Sequence, residues 1–425
     1  MRKKQAESVQ KNGVFMQNIK GSNLAVVFNQ IFHDEQITRA EIGRRANIDP
    51  AAVTAFVQDL IAHNLVVEGG PATLETVGRR PIMLKVNPEG GYGYSVKLQS
   101  NGFTLAVYDI LCRQIWAKEY IDDYKDIAGS VLTALTSIPI NKSLEGRHCL
   151  GISVGFPGLF SLETGETLSV LIPRLGQTDL FDRLNSFFDG KSVVVRNDSA
   201  FIAYAEQQFG IGKGVSDMVS ISIGEGIGAG IIHGGHILSP PQGHGIEFGH
   251  TTIDVNGPLC KCGVRGCFNV MSNIISICRS VNEALEQGKE SSLRATFKKV
   301  GAVNLLMIGQ ALDDGDQLIV DVLERHALLI AHAINNISNI IHPELVVING
   351  EITTLGPRFL EMIRKRLASM RLTVSKSNFR LEFSDIDNNS TLLGGAKYLI
   401  DNVLFDGDFF SRLTQCAVKM SAKSI

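Results

Sequence analysis

The sequence predicts an α/β protein with a small helical head: a winged helix-turn-helix followed by two α/β lobes. Three observations carry this. Two short helix-forming stretches between residues 39 and 63 are joined by a three-residue turn. Further on, apolar β-runs end in polar or glycine-rich tips at Gly155-Phe156-Pro157-Gly158, Arg196-Asn197-Asp198 and Asn349-Gly350-Glu351. Such strand tips are where α/β folds bind ligands. Finally, His250, Cys260, Cys262 and Cys267 stand in the spacing H-x9-C-x-C-x4-C.

A chain of 425 residues is too long for one small core and fits two or three domains. With 44% hydrophobic and 20% charged residues it is neither disordered nor fibrous. No apolar run reaches the roughly 18 residues of a membrane span. The basic start MRKKQAESVQKNGVF has no apolar core, so no secretory signal is expected. Seven cysteines, three of them within 260–267, predict a reduced, cytoplasmic compartment and a metal site instead of a disulfide framework. Cys112, Cys149, Cys278 and Cys416 are expected to be buried free thiols. Residues 1–85 hold 11 Lys+Arg against 8 Asp+Glu, and the remainder 30 against 35. A basic head on an acidic body suits a polyanionic partner for the head.

Residues 1–20 read as a loose basic arm and 21–86 as the winged helix-turn-helix. Leu24, Val27, Phe28 and Ile31 recur at helical spacing. Thr38 stands three before Glu41, a capping box that opens a helix over Arg39 to Ala46. After the turn Asn47-Ile48-Asp49, Asp49 is a good N-cap and Pro50 a good first residue for a second helix over about 50–63. Strands at 65–67 and 82–84 flank a wing carrying Arg79 and Arg80, suited to a narrow minor groove. The second helix exposes Ala51, Ala52, Thr54, Ala55 and Gln58, with no Lys or Arg. Affinity for double-stranded DNA then falls to phosphate contacts from Arg39, Arg44, Arg45, the wing and the arm. Base reading falls to Thr54, Gln58 and methyl contacts, which predicts an A·T-rich operator. The alternative is a three-helix interaction module.

Residues 87–205 form the first predicted lobe, with strands at 94–99, 103–109, 114–120, 149–154 and 192–195. Asn197 and Asp198 are candidates for hydroxyl recognition, although an Asn-Asp before a helix is also a capping pattern. Residues 206–404 form the second lobe. The strand Met218–Ile223 runs into the glycine turn of 224–230, a hairpin able to approach a phosphate but not a dinucleotide fingerprint. A long helix over 318–341, a strand at 345–348, helices at 355–367 and 392–404 and a strand at 381–383 follow. Residues 405–425 read as a peripheral tail.

His250, Cys260, Cys262 and Cys267 are the ligand set of a structural, tetrahedral Zn2+ site. Glu247 lies just upstream, so the metal is expected to hold a ligand-binding loop in place. His244 is expected to be a solvated loop residue.

These stretches together resemble the ROK family of sugar-responsive repressors and sugar kinases. The resemblance rests on Gly155 to Gly158, Asn197-Asp198, Gly224 to Gly230, Gly245-Ile246-Glu247-Phe248-Gly249-His250 and the cysteine motif of 260–267. The head is similar to that of the repressor branch, which includes N-acetylglucosamine-, glucose- and xylose-responsive regulators. The resemblance implies an actin-like, hexokinase-type (ribonuclease H-like) pair of lobes with a cleft, and a homodimer or homotetramer. It implies sugar contacts from Asn197, Asp198, Glu247 and His250, with His250 also a zinc ligand. One ring nitrogen can bind the metal while the other faces a sugar hydroxyl.

The departures from the family pattern are informative. Its kinases carry an acidic-Gly-Gly-Thr phosphate loop where this chain has Val96-Lys97-Leu98-Gln99-Ser100-Asn101. Lys97 replaces the acid, and Gln99 and Ser100 the glycines, so no phosphoryl transfer is expected. Asn269 stands where the family has a sugar-contacting glutamate, and an amide donates as well as accepts. The expected function is therefore repression of carbohydrate genes, with a sugar or sugar phosphate effector in the cleft. Control by a phosphotransfer-system protein is the alternative, and a sugar kinase a further one.

Overall fold

The computed structural model describes residues 21–34, 36–71, 81–161, 167–169, 171–238, 245–370, 379–387, 389–405 and 408–413. Residues 1–20, Arg79, Arg80, His244, Cys416 and most of the expected tail lie outside the described residues.

The head begins with α1 (residues 21–33), which buries Leu24, Val27, Phe28 and Ile31 at the expected spacing. Strand β1 (Ile37–Thr38) leads into α2 (Arg39–Ala46), where Thr38 Oγ1 accepts from the Glu41 N–H at 3.3 Å. Asn47 ends α2 in the left-handed region, φ 53°, which Asn tolerates better than most residues. Helix α3 (Pro50–Ala62) starts from Asp49, whose carboxylate accepts from the N–H groups of Ala51 and Ala52. Both caps stand where local chemistry requires them. Strands β2 (Val66–Pro71) and β3 (Ile82–Val86) pair antiparallel, and the sheet order is β1-β3-β2. This is a helix-turn-helix with a wing.

The first lobe contains β4 (Gly91–Gln99), β5 (Gly102–Asp109), β6 (Gln114–Ile121), α4 (Ile127–Thr136), β7 (His148–Phe156), the short pair β8 (Leu159–Phe160) and β9 (Thr167–Leu168), α5 (Leu180–Phe188) and β10 (Ser192–Asn197). Its main sheet runs β10-β7-β4-β5-β6, with β4, β7 and β10 parallel and β4-β5-β6 an antiparallel meander. Helix α6 (Asp198–Phe209) leads to the second lobe. That lobe has β11 (Met218–Ile223), β12 (Ile227–His233), β13 (His236–Ile237), α7 (Phe268–Ser272), α8 (Ile274–Glu286), α9 (Arg294–Val300), α10 (Leu305–Asp313), α11 (Gln317–Ile341), β14 (Leu345–Asn349), α12 (Gly356–Ala368) and β15 (Arg380–Phe383). Its sheet runs β13-β12-β11-β14-β15, again a three-stranded meander with two added parallel strands. Two sheets of one topology on successive halves of the chain are the actin-like, hexokinase-type pair of lobes. Among the described residues no helix is long and apolar enough to cross a membrane.

Helix α13 (Ser390–Phe405) returns from the second lobe and packs on α6, β4 and β7. Gly394 and Gly395 let it lie against Phe201 of α6 and Ser153 of β7, where any side chain would collide. Its far end meets the head. Leu399, Ile400, Val403 and Leu404 share one apolar cluster with Leu24, Phe28 and Ile31 of α1. The expected peripheral tail also starts inside this cluster. Helix α14 (residues 408–413) buries Phe409 and Phe410, and Phe410 lies 5.5 Å from Phe28, ring centre to ring centre. Truncating a buried phenylalanine of this kind costs about 3–5 kcal/mol. The head is therefore seated on the first lobe by apolar packing.

Candidate effector cleft and metal centre

The metal loop is built from short-range constraints. Phe248 and Phe268 pack edge to face at 5.5 Å, anchoring both ends of the loop in the second lobe. Isolated bridges Thr252↔Cys267 and Leu259↔Arg265 fold the intervening residues back on themselves. Gly266 has φ 65° and its Cα faces the Asp254 carbonyl so closely that a side chain has no room. The result brings the ligand atoms of His250, Cys260, Cys262 and Cys267 within 4.8 Å of one another. His250 Nδ1 is 3.7 Å from Cys260 Sγ, and Cys262 Sγ is 3.6 Å from Cys267 Sγ. Thiolates about 2.3 Å from a tetrahedral zinc ion lie about 3.7 Å apart, so the donor set and its edges fit that ion. Burial and the adjacent Cys262 push the Cys267 thiol up to about 12. Three crowded thiols do not all ionise unaided, whereas a divalent cation would neutralise them.

His250 turns its other nitrogen, Nε2, toward Glu247 Oε2 at 3.6 Å. The same loop passes the first lobe: a side chain at Gly245 would meet Asn197 at 2.9 Å. Asn197 closes β10, donates through Nδ2 to the Gly158 carbonyl at 2.8 Å and accepts from the Ser199 N–H at 2.9 Å. It is thus both a helix cap and a tie to the β7 tip. Asp198 follows as the first residue of α6, where the helix N-terminus favours a carboxylate. Burial nevertheless raises the Asp198 carboxyl above the usual range, with the Lys97 ammonium opposing it. Burial also raises Glu247, with His250 lowering and Asp198 raising it. Asn197 and Asp198 therefore lie beside the loop that carries Glu247 and His250.

Asn269 sits two residues beyond Cys267, in the first turn of α7. Its Oδ1 accepts from the Ile227 N–H at 2.7 Å and so holds the glycine turn between β11 and β12. That turn is tight, with the Gly224 N–H donating to the Gly226 carbonyl. Two neighbours fill the space beside it. Glu351 Oε2 lies 2.6 Å from where a side chain on Gly224 would begin, and Leu171 of the first lobe 3.2 Å from the same point on Gly226. Glu351 stands at a strand tip readable in the sequence, whereas no local pattern singles out Leu171, whose partner Gly226 is 55 residues away. On the first lobe, Gln99 is committed elsewhere. Its side chain accepts from Thr104 Oγ1 at 2.8 Å, and its carbonyl from the Tyr124 hydroxyl at 2.6 Å. Lys97 acts electrostatically on both Asp198 and Glu351.

In the head, Ala51, Thr54, Ala55 and Gln58 form an exposed strip of α3, with Ala52 half-buried beside it. The cationic residues are paired. Arg39 reaches Glu68 at 2.6 Å. Arg44 and Arg45 both reach Glu41 at 2.6 Å, and Arg45 also reaches Asp34 at 3.0 Å. Of the isolated cysteines, Cys112 is buried, and Cys149 and Cys278 are half-buried.

Two lobes of this topology, with a cysteine-rich loop in the second, define an actin-like, hexokinase-type class of fold. Residues 102–402 match the ROK family, and the chain belongs to it. It is 26% identical over 399 residues to the putative xylose repressor of Caldicellulosiruptor sp. (strain Rt8B.4), covering 92% of this chain and 98% of that one. It is 25% identical over 401 residues to the DNA-binding transcriptional dual regulator NagC of Escherichia coli (strain K12), covering 93% and 96%. The crystal structure of a ROK family transcriptional regulator, a homologue of the E. coli Mlc protein, superposes with a TM-score of 0.77 at 26% identity, covering 94% and 100%.

Proposed function

We propose that this chain is a sugar-responsive, DNA-binding transcriptional repressor of carbohydrate uptake or metabolism genes. Its effector, a sugar or sugar phosphate, binds in the interlobe cleft, and a structural zinc ion braces the ligand loop. One observation supports this: Asp198 lies close enough to Glu247 to act on its charge, and Glu247 lies 3.6 Å from His250 Nε2. Carboxylates accept from sugar hydroxyls, and charge-assisted bonds of this type discriminate strongly. The repressor relatives match over nine-tenths of the chain, head included, which supports the same reading.

His250 Nδ1, Cys260, Cys262 and Cys267 would hold the zinc ion, which supplies a fixed cation that neutralises the thiolates. His250 Nε2, Glu247, Asn197 and Asp198 would take the sugar, with Asn269 supporting the glycine turn beside it. Effector binding then favours one interlobe arrangement only as far as its affinity differs between arrangements. α6 begins at the cleft and packs on α13, which reaches the head. In a homodimer or homotetramer, two heads would meet successive half-sites, so their spacing governs operator affinity. Arg39, Arg44 and Arg45, with Arg79 and Arg80 of the wing, would contact phosphates. Ala51, Ala52, Thr54 and Gln58 would face an A·T-rich major groove. Phosphoryl transfer has little support, since Lys97 and Gln99 stand in the phosphate-loop stretch and Glu351 crowds the opposing glycine turn.

A thermal-shift screen of free and phosphorylated sugars on the full chain tests the effector, since a bound ligand raises the melting temperature by mass action. At least one sugar or sugar phosphate is expected to do so. A shift only with a phosphotransfer-system protein would favour control by that partner, and no shift with either would overturn the proposal.

A further inference from the structure

The chain crosses between the lobes twice, once through α6 and the residues up to β11, and once through 384–389 between β15 and α13. Helix α6 packs on strands β11 and β12 of one lobe and on α13, β7 and β10 of the other. Glu206, near its end, is fully buried although no basic partner pairs with it among the described residues. One of its carboxyl oxygens bonds to Ser384 Oγ, the first residue of the other crossing. Its second oxygen, Oε2, is buried without a hydrogen-bond partner. It lies against Gly210 at a spot also bordered by Ile386 Cδ1. Ala203, one turn earlier on α6, belongs to an apolar cluster with Val215, Met218, Leu345 and Val347.

We propose that Glu206 is a protonation-controlled latch between the two interlobe crossings. As a neutral acid, Glu206 donates to Ser384 Oγ. The Ser384 hydroxyl then donates to the Ile386 carbonyl (3.3 Å), and Ser384 Oγ also accepts from the Ile386 N–H (3.1 Å). This closed chain needs no further partner except at the uncharged Oε2. As a carboxylate, Glu206 draws the Ser384 hydrogen to itself, leaves the Ile386 carbonyl unpaired and exposes a charged oxygen to apolar neighbours. A buried charge of that kind is relieved by water entry or movement of the crossing. The charged group that acts on Glu206 from the 384–389 crossing is Asp385. Burial first, then Asp385, push the Glu206 carboxyl up to about 7, with the Ser384 hydrogen bond working against them. The latch therefore switches near neutrality. It depends on the lobes and their crossings, and holds or fails whatever effector or operator the chain binds.

The test is infrared difference spectroscopy of the full chain across about pH 5.5 to 8.5, paired with hydrogen–deuterium exchange at 384–390. A protonated-carboxyl band is expected to disappear with a midpoint close to 7, together with at least about tenfold faster exchange of the Ile386 amide after correction for intrinsic rates. Glu206→Gln, neutral at every pH, is expected to lack the band and to keep pH-independent exchange. Ser384→Ala removes the bond that favours the carboxylate and is expected to move the midpoint upward. A band absent from the wild-type chain, or exchange that accelerates equally in Glu206→Gln, would overturn the proposal. If Glu206→Gln fails to fold, the wild-type band and the Ser384→Ala shift decide it.

Discussion

His250 stands between two chemistries: its Nδ1 is 3.7 Å from Cys260 Sγ, and its Nε2 is 3.6 Å from the Glu247 carboxylate. The first contact belongs to a cysteine cluster and the second to the residues proposed to meet the effector. A metal bound at the first fixes the tautomer and orientation of the imidazole at the second.

Cys262→Ser is the direct test of the metal. The purified chain is expected to contain stoichiometric zinc, and the variant to lose most of it, with a lower melting temperature. Elemental analysis beside a thermal melt reads both. Unchanged zinc content would remove Cys262 from the ligand set.

Asp198→Asn keeps the size and the helix-capping geometry but removes the charge that accepts from a sugar hydroxyl. Effector affinity is expected to fall roughly 10- to 100-fold, the range of one lost charge-assisted bond. Operator affinity without sugar should be unchanged. Calorimetry on the sugar selected by thermal shift gives the first, and fluorescence anisotropy the second.

Glu41 holds both Arg44 and Arg45 of the last turn of α2. Glu41→Gln leaves the Thr38 Oγ1 cap on the residue-41 N–H in place while freeing both guanidinium groups for phosphates. The variant is expected to bind DNA more tightly at low salt, with a salt slope steeper by about 1 to 2. Adding Arg44→Ala to Glu41→Gln should take back about 1 of that increase. An unchanged slope in both would place these arginines away from the phosphate backbone.

Acid sensitivity has an identifiable source. His326 of α11 is buried between the hydroxyls of Ser272 (3.0 Å) and Ser280 (3.2 Å), and burial pushes its pKa from 6.5 down to about 4. The folded state thus binds this proton less readily than the unfolded chain. Its contribution to stability is complete above the unfolded pKa and is lost as pH falls through the folded one. Over that window the loss approaches about 3 kcal/mol. Melting temperature is expected to drop between about pH 6.5 and 4, and His326→Gln should flatten the drop. Ser272 ends α7, the helix that carries Asn269, so acidification acts next to the cleft.

What could be read from the chain alone was local. The bounds of α2 and the start of α3 follow from Thr38, Glu41, Asp49 and Pro50, whose capping chemistry acts within four residues. The metal cluster follows from spacing within eighteen residues. Both sheets follow from apolar runs, and their pairing into two lobes from the family resemblance. What could not be read depends on distant partners. Asn269 holds Ile227 from 42 residues away, Glu351 closes over Gly224, and Glu206 reaches Ser384 across 178 residues. Phe409 and Phe410 looked like tail residues because nothing near them in sequence supplies the pocket that α1 and the first lobe provide. The pairing of Arg44 and Arg45 with Glu41 was within reach, since i,i+3 and i,i+4 neighbours on a helix meet.

The central claim is that a sugar in the cleft changes how the head holds DNA. It is tested most directly by selecting bound duplexes from a random pool with the full chain, then titrating sugars and sugar phosphates against the selected duplex by fluorescence anisotropy. The expected result is an A·T-rich site whose affinity falls on addition of one sugar or sugar phosphate, with that response lost in Asp198→Asn. No selected duplex, or a sugar response that survives Asp198→Asn undiminished, would contradict it.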